Sequence, residues 1–81
     1  MYKATINVTL KKSVLDPQGQ TVLRALETLG FKEARNLRVG KYFELSLDAA
    51  SREKAEARVR EMCDKLLINP VIEEYSFQLH D

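Results

Sequence analysis

The chain has 81 residues, of which 44% are hydrophobic and 31% charged, and its formal net charge at pH 7 is +1. A chain of this length makes one domain at most, so we expect a single domain over residues 1–81. The small net charge gives no electrostatic case for binding nucleic acid or an anionic membrane. No stretch approaches the ~18 consecutive apolar residues of a membrane span, and the N-terminus lacks the apolar run of a signal peptide. We therefore expect a soluble cytoplasmic protein.

The first element is a strand from Tyr2 to Leu10. Its apolar and polar side chains alternate strictly, which predicts one buried and one solvated face. Lys11 and Lys12 then begin a polar connection.

A helix is predicted from Pro17 to Leu29. Asp16 is suited to cap its first free N–H groups, and Pro17 fits the first helical position, where no N–H is needed. An apolar stripe at helical spacing follows, and Gly30 suits the position just past a helix end. The stripe consists of Val22, Leu23, Leu26 and Leu29.

The segment from Leu37 to Leu47 alternates again and is longer than the usual strand of ~5–6 residues. Directly paired residues share a face of a sheet. A two-residue turn at Gly40-Lys41 would place Glu44 on the apolar face and is disfavoured. A three-residue loop from Gly40 to Tyr42, or one long strand, keeps the apolar side chains together. Both alternatives stay open, and the length of the strand suggests that its far end pairs with a second copy of the chain.

A second helix follows Asp48 or Ser51, either of which is able to cap it. Its apolar face is predicted to contain Ala55, Val59, Met62, Cys63, Leu66 and Leu67. Asn69-Pro70 ends the helix, because the residue before a proline is pushed out of the helical region. Val71 to Leu79 is the last predicted strand, and Glu73 falls on its apolar side, which suggests a sheet edge or an interface.

The element order predicts an α+β domain of the form β-α-β(β)-α-β. We expect a mainly antiparallel sheet with two helices on one face, because each strand has a single apolar side to cover. A four-stranded version would be ferredoxin-like.

The residues able to carry chemistry are few. The one histidine, His80, is next to the C-terminus, where a general base is poorly held. The one cysteine, Cys63, lies on an apolar helix face, which favours core packing over a nucleophile. One Cys and one His give no zinc spacing. We expect no catalytic, cofactor or metal residues in this chain.

Three stretches remain that packing alone does not explain: Asp16 to Gly19, Gly40-Lys41 and Asn69-Pro70. Turn chemistry accounts for many of their residues. The functional alternative is contact with partner proteins at the rim of the sheet. In this hypothesis two rims, Asp16 to Gly19 and Arg38 to Lys41, make the contacts, with Arg38 and Lys41 pairing with carboxylates and Tyr42 as an anchor. The predicted interface residues are Asp16, Pro17, Gln18, Gly19, Arg38, Gly40, Lys41 and Tyr42.

The chain resembles the PurS family, the small subunit of phosphoribosylformylglycinamidine (FGAM) synthase. The resemblance covers the chain from Met1 to about Leu79, and its motifs stand in the right order. These motifs are Val14-Leu15-Asp16-Pro17-Gln18-Gly19, Val39-Gly40-Lys41-Tyr42-Phe43-Glu44-Leu45, Glu61-Met62-Cys63-Asp64-Lys65-Leu66-Leu67 and Asn69-Pro70-Val71-Ile72-Glu73.

The resemblance implies a role in purine biosynthesis within an ATP- and glutamine-dependent ligase. In that complex a glutaminase subunit, PurQ, releases ammonia, and a synthetase subunit, PurL, uses ATP and Mg to activate the amide that accepts it. The small subunit would be a non-catalytic bridge that supports ammonia transfer and self-associates as a dimer or a dimer of dimers.

Two other classes are alternatives. One is a ferredoxin-like regulatory domain that senses a small ligand. The other is an RNA-binding module, which the aromatic residues around Tyr42 only faintly suggest, because the other strands supply no matching aromatic platform.

Overall fold

The computed structural model describes all 81 residues. Strand β1 (Tyr2–Leu10) is followed by helix α1 (Pro17–Thr28), strand β2 (Gly40–Leu47), helix α2 (Arg52–Met62), a π-helical turn (Cys63–Leu67) and strand β3 (Glu73–His80). The three strands form one sheet in the order β2-β1-β3, and both pairings are antiparallel. The predicted α+β class with a mainly antiparallel sheet is confirmed.

The core lies between one face of the sheet and α2. In the central strand, Ile6 pairs with Phe43 of β2 and Phe77 of β3, so the three side chains share a face. The buried core residues are Ala4, Ile6, Val8, Leu47, Ala55, Val59, Cys63, Ile68 and Leu79. The opposite face carries polar side chains and is largely exposed.

Helix α1 extends away from the sheet instead of covering it. Gly19 is its only buried residue, whereas Val22 is 43% exposed and the residue after the helix, Leu29, is 73% exposed. The chain measures 51 × 26 × 14 Å, and its radius of gyration of 16.1 Å exceeds the about 12 Å expected for a compact chain of this length. Of the two helices predicted on one face, only α2 takes that place. Three strands about 4.8 Å apart give a sheet that one helix, about 10–12 Å across, is wide enough to cover.

The middle segment forms one strand and no hairpin. β2 begins at Gly40, where Gly40 pairs with Thr9, and runs to Leu47, where Leu47 pairs with Tyr2. Leu37 to Val39 lie outside the strand. β2 is central in the sequence, but it lies at an edge of the sheet.

Helix α2 begins after Ser51, whose hydroxyl accepts a hydrogen bond from the Lys54 N–H at 3.2 Å. The π-helical turn that follows α2 is wider than an α-helical turn, because the Ile68 N–H donates to the carbonyl of Cys63, five residues earlier, at 3.1 Å. The wider turn changes the angular spacing of the side chains. Leu66, predicted on the buried face, is consequently 83% exposed, while Ala55, Val59 and Cys63 are buried as predicted.

The thiol of Cys63 is buried, and that burial raises its pKa. A thiolate is the reactive form of cysteine. We therefore expect the native protein to react with iodoacetamide at pH 8 at least roughly a hundredfold more slowly than it does in urea, because reaction requires local opening. Mass spectrometry of quenched samples gives both rates, and equal rates would contradict the buried position.

No helix in the structure combines the length and the apolar character that crossing a membrane requires.

Candidate functional site

The two predicted rims meet at the root of α1. We call this contact, between residues 10–19 and residues 37–39, the α1 junction. Asp16 is its centre and is only 5% exposed. One carboxylate oxygen accepts a hydrogen bond from the Gly19 N–H at 3.0 Å, which caps α1, and the other accepts from the Val39 N–H at 2.9 Å. Asp16 therefore joins the start of α1 to the segment that enters β2.

Arg38 makes the second connection across the α1 junction. Its Nη2 atom donates to the backbone carbonyls of Leu10, Lys11 and Val14 at 3.2, 3.0 and 3.3 Å. These three carbonyls belong to the chain that leaves β1. The guanidinium of Arg38 thus binds its own chain, although its side chain lies at the surface.

Position 19 requires glycine, because the α1 junction leaves no space for a β-carbon there. A β-carbon on Gly19 would lie 2.6 Å from the Leu37 carbonyl oxygen and 2.7 Å from an Asp16 carboxylate oxygen. Glycine is thus what permits the first turn of α1 to approach the returning chain this closely.

Lys41 and Tyr42 lie on opposite faces of the sheet, because they are neighbours on one strand. The Lys41 ammonium is on the covered face, 3.3 Å from a Glu73 carboxylate oxygen and 3.4 Å from the Leu67 carbonyl oxygen. The Asn69 N–H donates to Glu73 at 2.7 Å. That bond, together with Lys41, holds the pKa of the Glu73 carboxyl below its usual range. This pairing explains how Glu73 is accommodated on the apolar side of an edge strand.

The eight predicted interface residues fall into three groups. Asp16 and Gly19 are buried at the α1 junction and bond within the chain. Arg38 and Lys41 are exposed but are held by intrachain hydrogen bonds. Pro17, Gln18, Gly40 and Tyr42 are exposed, and Tyr42, at 58% exposure, presents the largest free side chain.

An apolar groove that the sequence did not indicate runs beside the edge strand β2. It encloses about 400 Å³, and its apolar lining consists of Leu45, Met62, Leu66 and Leu67. Arg58, Glu61 and Lys65 form its charged rim, with Glu61 bonded to both basic side chains at 2.7 and 3.1 Å. The wide π-helical turn after α2 brings Leu66 to the surface. Helical periodicity does not predict this exposure.

The structure brings together no group of three His, Cys, Asp or Glu side chains that is suited to a metal ion. The polar contacts at the α1 junction are all made to backbone groups, and they hold chain segments together without leaving a reactive group free.

The Asp16 carboxyl has a pKa below its usual range, chiefly because the Val39 N–H bonds to its charged form, with a further contribution from the Gly19 N–H. A carboxyl whose pKa is lowered by folding stabilises the protein above the unfolded-state pKa of about 3.9. This contribution disappears as the pH falls through the folded-state value. Urea unfolding should therefore show wild type more stable than Asp16→Asn at pH 7, with the difference shrinking below about pH 4. A difference that stays constant down to pH 2.5 would contradict this role.

Comparison with known proteins identifies the family. The family described as PurS, phosphoribosylformylglycinamidine (FGAM) synthase, matches residues 3–81. The chain belongs to the PurS family. Over its full length it is 44% identical to the phosphoribosylformylglycinamidine synthase subunit PurS of Bacillus subtilis, of which it covers 95%. The PurS of Methanocaldococcus jannaschii is 43% identical over 98% of this chain and is covered to 95%.

Solved PurS structures share the fold. A B. subtilis PurS structure superposes with a TM-score of 0.91 at 44% identity, and all of both chains is covered. The structure of PurLQS from Thermotoga maritima contains a chain that is 37% identical, with a TM-score of 0.90 over 98% of this chain and 96% of that one. The predicted resemblance to PurS is confirmed.

Proposed function

We propose that this chain is the small, non-catalytic subunit of FGAM synthase and that it joins a PurL synthetase to a PurQ glutaminase in purine biosynthesis. The observation that carries the proposal is the likeness to a chain of the T. maritima PurLQS structure over almost the whole length. On this view ATP and Mg are used by the synthetase subunit, this chain binds no cofactor, and the complex works in the cytoplasm.

The chemistry of ammonia transfer gives such a subunit a role without catalytic groups. Ammonia released into water is protonated and diluted, and ammonium has no free electron pair with which to attack. A subunit that aligns the glutaminase and synthetase sites raises the rate by proximity and by excluding solvent. This role fits a chain whose thiol is buried and whose one histidine, His80, is at the end of the last strand.

The test compares two nitrogen sources in a mixture of purified PurL and PurQ subunits. FGAM formation is measured with glutamine and, separately, with ammonium chloride at high pH, each with and without this chain. We expect the chain to raise the glutamine-driven rate strongly and to leave the ammonia-driven rate nearly unchanged. Equal glutamine-driven rates with and without the chain would overturn the proposal.

We further propose that the chain self-associates and that the apolar stripe of α1 takes part. The accessible surface is 6035 Å², whereas about 5000 Å² is expected for a monomer of 9.3 kDa. The excess of about 1000 Å² is close to the ~800 Å² that each partner buries in a standard protein interface. Leu29, Val22 and Leu66 are among the exposed apolar residues that such a contact would cover. Sedimentation velocity at micromolar concentration is the test, and a monomer would remove this part of the proposal.

For the larger complex, Tyr42 is the strongest candidate anchor among the eight predicted interface residues. It is 58% exposed on the polar face of the sheet, and tyrosine is enriched among residues that dominate binding. Tyr42→Ala should weaken assembly with PurL and PurQ in size-exclusion experiments, whereas Ser76→Ala, on the same face of β3, serves as the control. Unchanged assembly of the Tyr42 variant would place the interface elsewhere.

Arg38 and Lys41 enter this proposal in a different way from Tyr42. Both are exposed, yet both donate to backbone carbonyls of their own chain. Arg38→Glu and Lys41→Glu should weaken assembly if these charges also face acidic groups on a partner. Assembly that is untouched by both substitutions would end their role as partner contacts.

A further inference from the structure

Residues 17–36 form an arm that leaves the body of the protein and returns to it. The outgoing half is α1, and the chain turns back at Gly30, whose φ of 99° is suited to glycine. The Gly30 N–H donates to Glu27 and the Phe31 N–H to Leu26, which closes the end of the helix within the arm itself. Both ends of the arm meet at the α1 junction.

Apart from the α1 junction, the arm makes few contacts with the rest of the protein. Between Leu10 and Leu47 the only buried residues are Asp16 and Gly19, and both lie at the α1 junction. No residue of the arm belongs to the hydrophobic core. No backbone–backbone hydrogen bond joins residues 10–19 to residues 37–39. The four hydrogen bonds that cross between these segments all come from the side chains of Asp16 and Arg38.

We propose that Asp16 and Arg38 are positioning residues that fix the direction of the arm relative to the sheet, and that this fixed direction presents the apolar stripe of α1 to a second copy of the chain. The second half of this inference rests on the self-association proposed above. The first half concerns the single chain and stands independently of it.

The chemistry of the two side chains suits this role. A carboxylate has two acceptor oxygens, and Asp16 uses one for the outgoing chain at Gly19 and the other for the returning chain at Val39. Arg38 lies on the returning segment, and its planar guanidinium donates hydrogen bonds to three carbonyls of the outgoing segment. Asp16 therefore reaches from the outgoing segment to the returning segment, and Arg38 reaches in the opposite direction. Two such connections restrict rotation of the arm better than one.

A partner gains from such restriction because a docking element that is already oriented binds more tightly than one that samples many directions. If only about a third of the chains hold the arm correctly, and each of the two copies must do so, the apparent dissociation constant of self-association rises about tenfold.

The experiment measures the direction of the arm by the distance between two nitroxide labels. One label replaces Glu27 near the end of α1, and the other replaces Gln78 on β3, both exposed positions. Cys63 is changed to alanine in all samples so that only these sites react. Labelled chains are diluted about tenfold with unlabelled chains, which restricts the signal to distances within one chain.

The double variant Asp16→Asn/Arg38→Met is compared with the unaltered sequence by pulsed electron spin resonance. Arg35→Met is the matched control, since Arg35 is an exposed arginine of the same arm with no hydrogen bond or ion pair.

We expect a narrow distance distribution for wild type and for Arg35→Met, and a distribution at least about twice as wide for the double variant, with sheet amide protection retained. An unchanged width would overturn the inference. If the double variant fails to fold, the single variant Arg38→Met, altered at an exposed position, supplies the same comparison.

The dissociation constant for self-association is measured in parallel by sedimentation equilibrium and should rise about tenfold in the double variant. A wider distribution with an unchanged constant would overturn the presentation of the stripe to a second copy. A wild-type protein that is monomeric throughout would instead remove the proposed self-association, and the width of the distance distribution alone would then decide whether the arm is held.

Discussion

Gly40→Ala is expected to lower the free energy of unfolding by about 1–3 kcal/mol, the usual effect of forcing extra atoms into occupied space. A β-carbon at this position would overlap the Val8 carbonyl oxygen and would lie 2.9 Å from the Thr9 Cγ2 atom. The first of these atoms belongs to the backbone of the central strand and does not move aside without disturbing the β1–β2 pairing. A chain of this size has a net stability of roughly 4–12 kcal/mol, so the loss would be a large fraction of the total.

Urea unfolding followed by far-UV circular dichroism measures this effect. Ser46→Ala is the matched control, because Ser46 lies on the exposed face of the same strand and pairs with Lys3. Its effect should stay within about 0.5 kcal/mol. A Gly40 variant as stable as the Ser46 control would show that the start of β2 is not packed against β1 as the structure has it.

The local elements were predictable because their signals lie within a few residues. β1 was predicted and observed from Tyr2 to Leu10. Asp16 and Pro17 mark the start of α1, which ends within one residue of the predicted position. Cys63 is buried on the helix face where its spacing placed it. In each case alternation or a capping residue was sufficient, since neither depends on distant parts of the chain.

The position of α1 was not predictable in the same way. An apolar stripe indicates that a helix face becomes buried, but it does not say against which surface. From the stripe alone, α1 is expected to pack on the sheet of its own chain, whereas Val22 and Leu29 are exposed in the structure. The stripe indicates that α1 packs against another apolar surface. Whether that surface belongs to the same chain or to another chain depends on the geometry of the α1 junction.

The start of β2 shows the same limit. The alternation of Leu37 and Val39 is as regular as that of the strand that follows, and it predicted a strand from residue 37. The observed strand begins at Gly40, because the Val39 N–H is bonded to Asp16, a residue 23 positions earlier. A hydrogen bond between such distant residues leaves no periodic signal. Likewise, the widened turn after Met62 exposes Leu66 although the helical spacing places it inside.

The predicted interface residues lie close together in the structure, but several of them bond within the chain. Both predicted rims lie at one place, the α1 junction and the start of β2. Asp16, Gly19 and Arg38 nevertheless make their hydrogen bonds within the chain. Tyr42 keeps the exposure that a partner contact requires. The residue types that suit protein interfaces also suit hydrogen bonds between two segments of the same chain. A single sequence does not distinguish these two roles.

Gly19→Ala provides the sharpest test of the junction, because two physical effects predict opposite signs. Helix propensity alone predicts that alanine stabilises α1 by roughly 0.5–1 kcal/mol. The added β-carbon, however, would lie 2.6 Å from the Leu37 carbonyl oxygen and 2.7 Å from an Asp16 carboxylate oxygen. Neither atom is the free end of a flexible side chain, since one is backbone and the other belongs to a buried carboxylate whose two oxygens each accept a hydrogen bond. Overpacking of this kind typically destabilises by about 1–3 kcal/mol. The steric effect should win, with a net loss of about 1–2 kcal/mol.

The neighbouring position supplies the control for this test. Gln20 is exposed on the same turn of α1, so Gln20→Ala should leave stability unchanged or raise it by a few tenths of a kcal/mol, as roughly expected from helix propensity. Thermal and urea unfolding of the two variants, followed by far-UV circular dichroism, compare the same amino acid one position apart. If both variants are stabilised, the returning chain does not press against α1 at Gly19, and the junction is looser than the structure has it. If only Gly19→Ala is destabilised, the close approach at the root of the arm is established, and with it the reason why the chain places a glycine in the first turn of a helix.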